Sequence, residues 1–238
     1  MMSCYRKTRL ILDKEGWIIA ALVGQPDDPK WRDVVGDAAE VMQEVQRLGA
    51  DMDLFTDKNL HHRQGEFLVI PVGVSFGGGQ TVSSPHRFHE AFLLKIFTLQ
   101  VPGNLVHTKA MRRLIQRLLL SHSIQCIMGF QSSMSSSACT FTQLDLVQTL
   151  KVLFGQHPHL EHIFSNSMFP AVSFNCGPRT VSLDHTDHGN LSHGLCALTA
   201  LGAYDHTRGG HLILFGLKLA IQFPVGSTAL IPSGCMDR

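Results

Sequence analysis

The start of the chain has two apolar runs that are separated by a short polar segment. Residues 10–12 and 17–23 are almost entirely aliphatic or aromatic, and residues 13–16 between them read DKEG. Two apolar runs joined by a short polar loop that ends in glycine are typical of a β-hairpin. The pattern therefore predicts a hairpin over residues 9–24.

The next periodic stretch covers residues 31–48, where apolar side chains recur every three to four positions. This spacing places them on one face of an amphipathic helix. Asp28 precedes Pro29, which is the order expected for a helix cap followed by the first helical residue. Gly49 ends the pattern, so we expect the helix to end there.

Helix and strand patterns also alternate in the middle of the chain. Residues 67–74 predict a strand, and residues 104–120 predict a helix with Asn104 as its cap. Residues 141–154 predict a further helix. Between these two helices, we expect the serine-rich residues 132–137 to form a linker or loop.

From Pro170 onward the chain consists of short β-like segments separated by glycine- and proline-containing turns. Several short strands at spacings of roughly 8 to 12 residues are typical of a β-sandwich or jelly roll. The predicted strands are residues 171–175, 180–183, 195–201, 211–215, 219–223 and 227–231.

These patterns together predict an α+β fold in one domain. Its centre is a jelly-roll core with flanking N-terminal helices and a hairpin. In this division, residues 1–80 are an α/β support, 81–103 an irregular insert, 104–169 a helical support and 170–238 the jelly-roll core. A chain of 238 residues is long enough for one such domain.

Composition narrows the possible partners. The formal net charge of +1 gives the whole protein no electrostatic preference for phosphate backbones or membrane surfaces, so any nucleic-acid contact requires a local patch. The six cysteines lack the regular spacing of a disulfide framework or a zinc ribbon. Neither a signal peptide nor an apolar stretch of about 20 residues is present, so we expect an intracellular protein, nuclear or cytoplasmic, with no membrane contact.

Fourteen histidines make metal binding worth considering. His61 and His62 fall in a predicted polar loop, and a further group occupies residues 157–162; both are expected at the surface. His185 and Asp187 differ, because they follow a predicted strand and are two residues apart. On a strand this spacing directs both side chains to the same side, where an imidazole and a carboxylate are two of the three ligands of the Fe(II) facial triad.

The surrounding motifs strengthen this interpretation. The stretch FNCGPRTVSLDHTDHGN over residues 174–190, followed by CALTALG, TRGGHL and FPVGS, resembles fungal 2-oxoglutarate/Fe(II)-dependent oxygenase-like proteins related to the Tet/J-binding-protein clade. The resemblance extends over most of residues 10–233, except for residues 81–100. It implies a double-stranded β-helix (jelly-roll) core that is incomplete at its C-terminal end, so that residues 170–238 are a partial core. It further implies Fe(II) and 2-oxoglutarate as cofactors and His185 and Asp187 as the first two metal ligands. It also implies a methylated base in nucleic acid as the substrate of intact relatives, flipped into the site.

The end of the sequence departs from the family. There, a distal histidine follows the strand equivalent to residues 227–233 by a few residues, and an arginine that pairs with 2-oxoglutarate lies farther on. Here residues 234–238 read GCMDR. The sequence therefore predicts a C-terminally truncated chain that is inactive for lack of both residues. The histidines that could replace the distal ligand are His188, His193, His206 and His211, and the cations that could hold the acid are Arg208 and Lys218.

Two other interpretations stay open. The chain could be a non-catalytic remnant or binding module of the same fold, in which His185 and Asp187 are turn residues. It could instead be a zinc protein that uses these two residues with His188 and His193, although no known zinc spacing matches. Separately, residues 82–100 interrupt the family resemblance, and we expect them to be a translated intron.

Overall fold

The computed structural model describes residues 2–3, 8–76, 102–138, 140–187, 190–191 and 194–236. Within these ranges the chain forms a mixture of helices and mainly antiparallel sheets, as the α+β prediction required. Most of residues 81–103, the predicted insert, lie outside the described residues. In the described part of the chain, no helix has both the length and the apolar character needed to cross a membrane.

The predicted N-terminal hairpin is confirmed and belongs to a four-stranded sheet. Strands β2 (Arg9–Leu12) and β3 (Ile18–Gly24) pair antiparallel. The turn between them is stabilised by Asp13, whose carboxylate accepts hydrogen bonds from the backbone of Glu15 and Trp17.

The other half of this sheet comes from the C-terminal part of the chain. Strand β12 (Thr228–Ile231) lies between β3 and β9 (Cys196–Thr199), antiparallel to both. The order is β2-β3-β12-β9. All four residues of β12 are buried, so the two ends of the chain form one continuous layer.

Three smaller sheets complete the β-structure. Strand β6 (Leu68–Phe76) lies between β7 (Pro102–Asn104) and β8 (Ala171–Cys176), antiparallel to both. Strand β11 (Leu219–Gln222) lies between β10 (Leu212–Leu214), which is antiparallel, and β1 (Met2–Ser3), which is parallel. Strands β4 (His61–His62) and β5 (Gly65–Glu66) form a short ribbon.

The helices pack beside these sheets. They are α1 (Trp31–Asp51), α2 (Asp57–Leu60), α3 (Lys109–Leu120), α4 (His122–Ala138) and α5 (Thr140–Gln156). Buried side chains of α1, α3 and α4 form the largest apolar cluster together with β6 and β8. The indole Nε1 of Trp31 donates to the carbonyl of Gly226 at 3.0 Å, which attaches α1 to the turn before β12.

The four-stranded sheet is apolar on both faces because neighbouring residues of β3 point to opposite sides. Ala20 and Leu22 pack with Leu214 and Ile221 of the β10–β11 sheet. Ala21 and Val23 instead join a cluster that includes Met134 of α4. The sheet is therefore the middle layer between a second sheet and a helix.

Several sequence predictions about local structure are wrong. Helix α1 has Lys30 rather than Asp28 at its cap position, and it begins at Trp31 rather than at Pro29. Asn104 is not a helix cap but a strand residue, and its side chain binds the backbone of His159 and Glu161. Helix α3 instead begins after Thr108, whose hydroxyl accepts from the backbone N–H of Met111 at 3.2 Å.

The serine-rich stretch is helical rather than a loop, as the last two turns of α4. Ser136 and Ser137 donate to carbonyls four residues earlier, each at 3.0 Å, so their hydroxyls are satisfied within the helix. Residues 180–183 form no strand: they are irregular and lead directly into the segment that carries His185.

Candidate metal centre

His185 lies in the irregular segment after β8, and its side chain is only 4% exposed. Its Nδ1 is 2.6 Å from the carbonyl oxygen of Leu183. Because a carbonyl oxygen only accepts, Nδ1 is the donor nitrogen of this contact, and in the tautomer with its hydrogen on Nδ1 the lone pair is on Nε2. Nε2 is buried and has no hydrogen-bond partner among the residues that the structure describes.

Asp187 is the second member of the pair. Its Oδ1 lies 3.8 Å from Nε2 of His185, and its side chain is 17% exposed. The structure therefore brings together the two residues that the sequence singled out, although they occupy an irregular segment rather than the end of a strand. We call residues 181–187, which carry the pair, the site segment.

The ribbon of β4 and β5, residues 61–66, contacts Asp187 from the other side. The amide Nε2 of Gln64 donates to Oδ1 of Asp187 at 2.9 Å. Arg63 places Nη2 at 3.7 Å from the same oxygen and donates from Nη1 to the carbonyl of Thr186 at 2.5 Å. The carboxylate is thus bordered by an imidazole, a neutral amide and a guanidinium.

Backbone contacts attach this ribbon closely to the site segment. Leu183 donates its N–H to the carbonyl of Gln64 at 2.7 Å. Gly65 has a φ of +150°, and a Cβ there would lie 2.7 Å from the carbonyl oxygen of Val181. Glycine is required at this position because both the backbone conformation and the available space exclude a side chain.

The turn after β12 supports the site segment from a third direction. Asp187 donates its N–H to the carbonyl of Ser233 at 2.7 Å. Asn190 donates from its backbone N–H to the carbonyl of Asp187 and from its side-chain amide to the hydroxyl of Ser233. The ribbon of residues 61–66 and Ser233, which are far apart in the chain, therefore both hold the pair in place.

Sequence reasoning missed Arg63, Gln64 and Ser233. They are distant from Asp187 in the chain, and no local pattern marks them. His61 and His62 were expected in a polar loop, but they form strand β4. A groove of about 490 Å³ beside the site segment is lined by His61, His62, Arg63, Gly65, Glu66 and Leu183.

Among the described residues, none of the other candidate ligands completes a metal site with His185 and Asp187. Across the described ranges, no group of three histidine, cysteine, aspartate or glutamate side chains could hold one metal ion. His206 and His211 are among the described residues and therefore belong to no such group. His188 and His193 lie outside the described residues. Arg208 lies in the turn after Asp205, and Lys218 lies between a 3₁₀ turn and β11.

Comparison with solved structures shows a likeness in fold. No family model matches the chain, and no curated protein matches it. Among solved structures, TET1 from Naegleria in complex with 5mC DNA has a TM-score of 0.58 at 15% sequence identity. The match covers 98% of this chain and 71% of that one. The chain therefore has a Tet-like fold.

Proposed function

We propose that the chain is a 2-oxoglutarate/Fe(II)-dependent dioxygenase-like domain in which His185 and Asp187 are two ligands of the metal. The observation that carries this proposal is the buried Nε2 of His185, which has a lone pair and no hydrogen-bond partner within the described ranges. Such an atom costs free energy unless something binds it. A cation beside Asp187 would satisfy it.

The two donors are close enough for one ion to bind both after a small side-chain shift. Nitrogen and oxygen ligands lie about 2.0–2.2 Å from a first-row divalent ion, so two neighbouring ligands of a facial triad lie about 3 Å apart. The measured separation between Nε2 and Oδ1 is 3.8 Å, so the two side chains would approach each other by roughly 1 Å when the ion binds. One imidazole and one carboxylate are also the donor types of non-haem Fe(II) oxygenases.

The roles of the chain's own residues follow from their contacts. Leu183 fixes the imidazole tautomer, and Asp187 supplies negative charge that offsets part of the charge of the ion. When bound, Fe(II) with 2-oxoglutarate supplies the coupling of O₂ reduction to oxidation of a substrate.

For intact relatives, the proposed substrate is a methylated base in nucleic acid. The Tet-like fold supports this assignment, because the structure of the similar Naegleria protein is that of its complex with 5mC DNA. The net charge of +1 adds no support of its own. Within the described residues, the pair supplies two of the three protein ligands of a facial triad. We propose that with these two ligands the chain binds metal weakly and is catalytically inactive.

A second candidate is a non-catalytic binding module of the same fold. Arg63 favours it, because its guanidinium lies 3.7 Å from Oδ1 of Asp187. This guanidinium is 56% exposed and partly screened by solvent, but it can balance part of the carboxylate charge without any metal. In that case His185 would be a buried structural residue.

Anaerobic equilibrium dialysis against Fe(II) separates the two candidates. The first predicts binding by the wild type, loss of binding in His185→Ala, and unchanged binding in His159→Ala, an exposed histidine in the turn after α5. His188→Ala and His193→Ala test whether either residue is a third ligand. Binding that is absent, or equal in all variants, would support the binding module.

A further inference from the structure

We infer that Gln64 is a positioning residue for Asp187, and that the ribbon of residues 61–66 holds this carboxylate where it can face His185. The inference rests on the proposed function, because it treats Asp187 as a metal ligand. Its starting point is the 2.9 Å hydrogen bond from Nε2 of Gln64 to Oδ1 of Asp187. The two residues are 123 positions apart, so the contact depends on tertiary structure.

Gln64 and His185 both lie next to the same oxygen atom of Asp187. Nε2 of His185 lies 3.8 Å from Oδ1, and the Gln64 amide donates to that oxygen. A carboxylate oxygen can take more than one contact, so an amide can fix its direction while it also faces a cation. Groups that hydrogen-bond to a ligating carboxylate orient it in this way.

The backbone of Gln64 is itself fixed on two sides. Its N–H donates to Nδ1 of His62 at 3.3 Å, and its carbonyl accepts from the N–H of Leu183 at 2.7 Å. His62 is anchored in turn, because its Nε2 lies 2.9 Å from the carbonyl oxygen of Phe67. The Gln64 side chain therefore projects from a backbone that two hydrogen bonds hold in place, and this lowers the entropy cost of binding Asp187.

Gln64 suits this task better than the neighbouring Arg63. The amide is neutral, so it donates a hydrogen bond and leaves the negative charge of the carboxylate available to a metal. Arg63 is farther away at 3.7 Å, and its side chain is 56% exposed. At this exposure its electrostatic effect is largely screened by solvent. We assign the main positioning role to Gln64 and a supporting role to Arg63, which also binds the carbonyl of Thr186.

The test uses Co(II) as a spectroscopic probe and Gln64→Met as the variant, because methionine keeps the unbranched shape and removes the donor. The matched control is Gln125→Met, since the Gln125 amide also donates to a carbonyl oxygen, that of Leu119 at 3.0 Å. Loss of an orienting hydrogen bond typically weakens metal affinity by about 10- to 100-fold. We expect such a loss in Gln64→Met, with Gln125→Met close to the wild type.

A second readout separates positioning from simple structural support. At saturating Co(II), the visible absorption bands of Gln64→Met should differ from those of the wild type, because Asp187 is held differently, whereas the metal-free thermal midpoint should change little. Gln64→Asn serves as a second variant. It keeps the amide but is one methylene too short to reach Asp187, so it should show the same loss.

The outcomes are distinguishable. If His185→Ala abolishes Co(II) binding while Gln64→Met matches the control in affinity and spectrum, the positioning role is wrong and the proposed function stands. If Co(II) binding does not depend on His185, the proposed function fails. The positioning role, which treats Asp187 as a metal ligand, is then overturned with it.

Discussion

Nδ1 of His185 lies 2.6 Å from the carbonyl oxygen of Leu183, and this contact determines which ring nitrogen carries the hydrogen. The other nitrogen, Nε2, is buried and unbonded in the part of the chain described. An unsatisfied buried polar atom typically costs about 1–3 kcal/mol of stability. A bound cation removes that cost, so metal binding and folding stability should be linked at this residue.

Replacement of His185 by leucine tests this link. The substitution removes the unsatisfied Nε2 and also the hydrogen bond to Leu183, so the two effects on the metal-free protein largely cancel. We expect the free energy of unfolding to change by less than about 1 kcal/mol, while stabilisation by added Co(II) disappears. Urea unfolding with and without Co(II) measures both quantities.

The matched control for this experiment is His159→Leu, because His159 is exposed. This variant should keep the response of the wild type to Co(II). A loss of more than about 3 kcal/mol in metal-free His185→Leu would mean that the imidazole is a structural residue whose burial needs no ligand.

Gly65→Ala should separate the ribbon from the site segment. An added Cβ would lie 2.7 Å from the carbonyl oxygen of Val181 and 2.9 Å from the Phe67 ring, at a φ of +150°. We expect a loss of about 1–3 kcal/mol in unfolding free energy, because the strained backbone cannot adapt locally. Co(II) affinity should fall as well, since the Gln64 contact would be displaced. Thermal unfolding and Co(II) titration of the same preparation measure the two effects.

Gly36→Ala is the control, because a Cβ at this position in α1 meets no atom within 4 Å. Alanine in a helix is favoured over glycine by about 0.5–1 kcal/mol, so this variant should be more stable than the wild type and bind Co(II) equally. If both alanine variants behave alike, the close approach of Gly65 to Val181 has no energetic consequence.

Cys176, at the end of β8, should make stability depend on alkaline pH. Burial raises the pKa of its thiol to about 12, whereas an exposed thiol has a pKa of about 8.5. The unfolded chain therefore loses this proton between these two pKa values, while the folded chain keeps it. The contribution is complete below about pH 8.5 and falls by up to about 1.4 kcal/mol per pH unit above it.

Urea unfolding under reducing conditions, with the wild type and Cys176→Ala side by side, isolates this effect from other titrating groups. The stability advantage of the wild type should shrink by about 1–2 kcal/mol between pH 7.5 and pH 10. An advantage that stays constant over this range would show that the thiol ionises equally in both states.

The local patterns of the chain account well for its regular elements. The hairpin, the long helix α1, strand β6 and helix α5 follow from apolar spacing and from turn residues such as Asp13. Asn104 shows where such reasoning fails. Asn104 and Thr108 are both good helix caps, and the tertiary contact of Asn104 with the loop at residues 159–161 decides between them.

The candidate site could be predicted only in part for a similar reason. The spacing of His185 and Asp187 identified the pair, although the expected strand over residues 180–183 is absent from this described segment. Gln64, which lies far before the pair in the chain, and Ser233, which lies well after it, both contact Asp187. Contacts of this kind depend on how sheets assemble, and no window of neighbouring residues contains that information.

Anaerobic absorption spectroscopy of the full chain with Fe(II), to which 2-oxoglutarate is then added, tests most directly whether His185 and Asp187 bind iron. We expect a weak metal-to-ligand charge-transfer band that appears on addition of the acid, at high Fe(II) because the site is weak. The band should be lost in His185→Ala and kept in His159→Ala. A band of equal intensity in His185→Ala, or no band in the wild type at any Fe(II) concentration, would contradict the assignment of His185 and Asp187 as iron ligands.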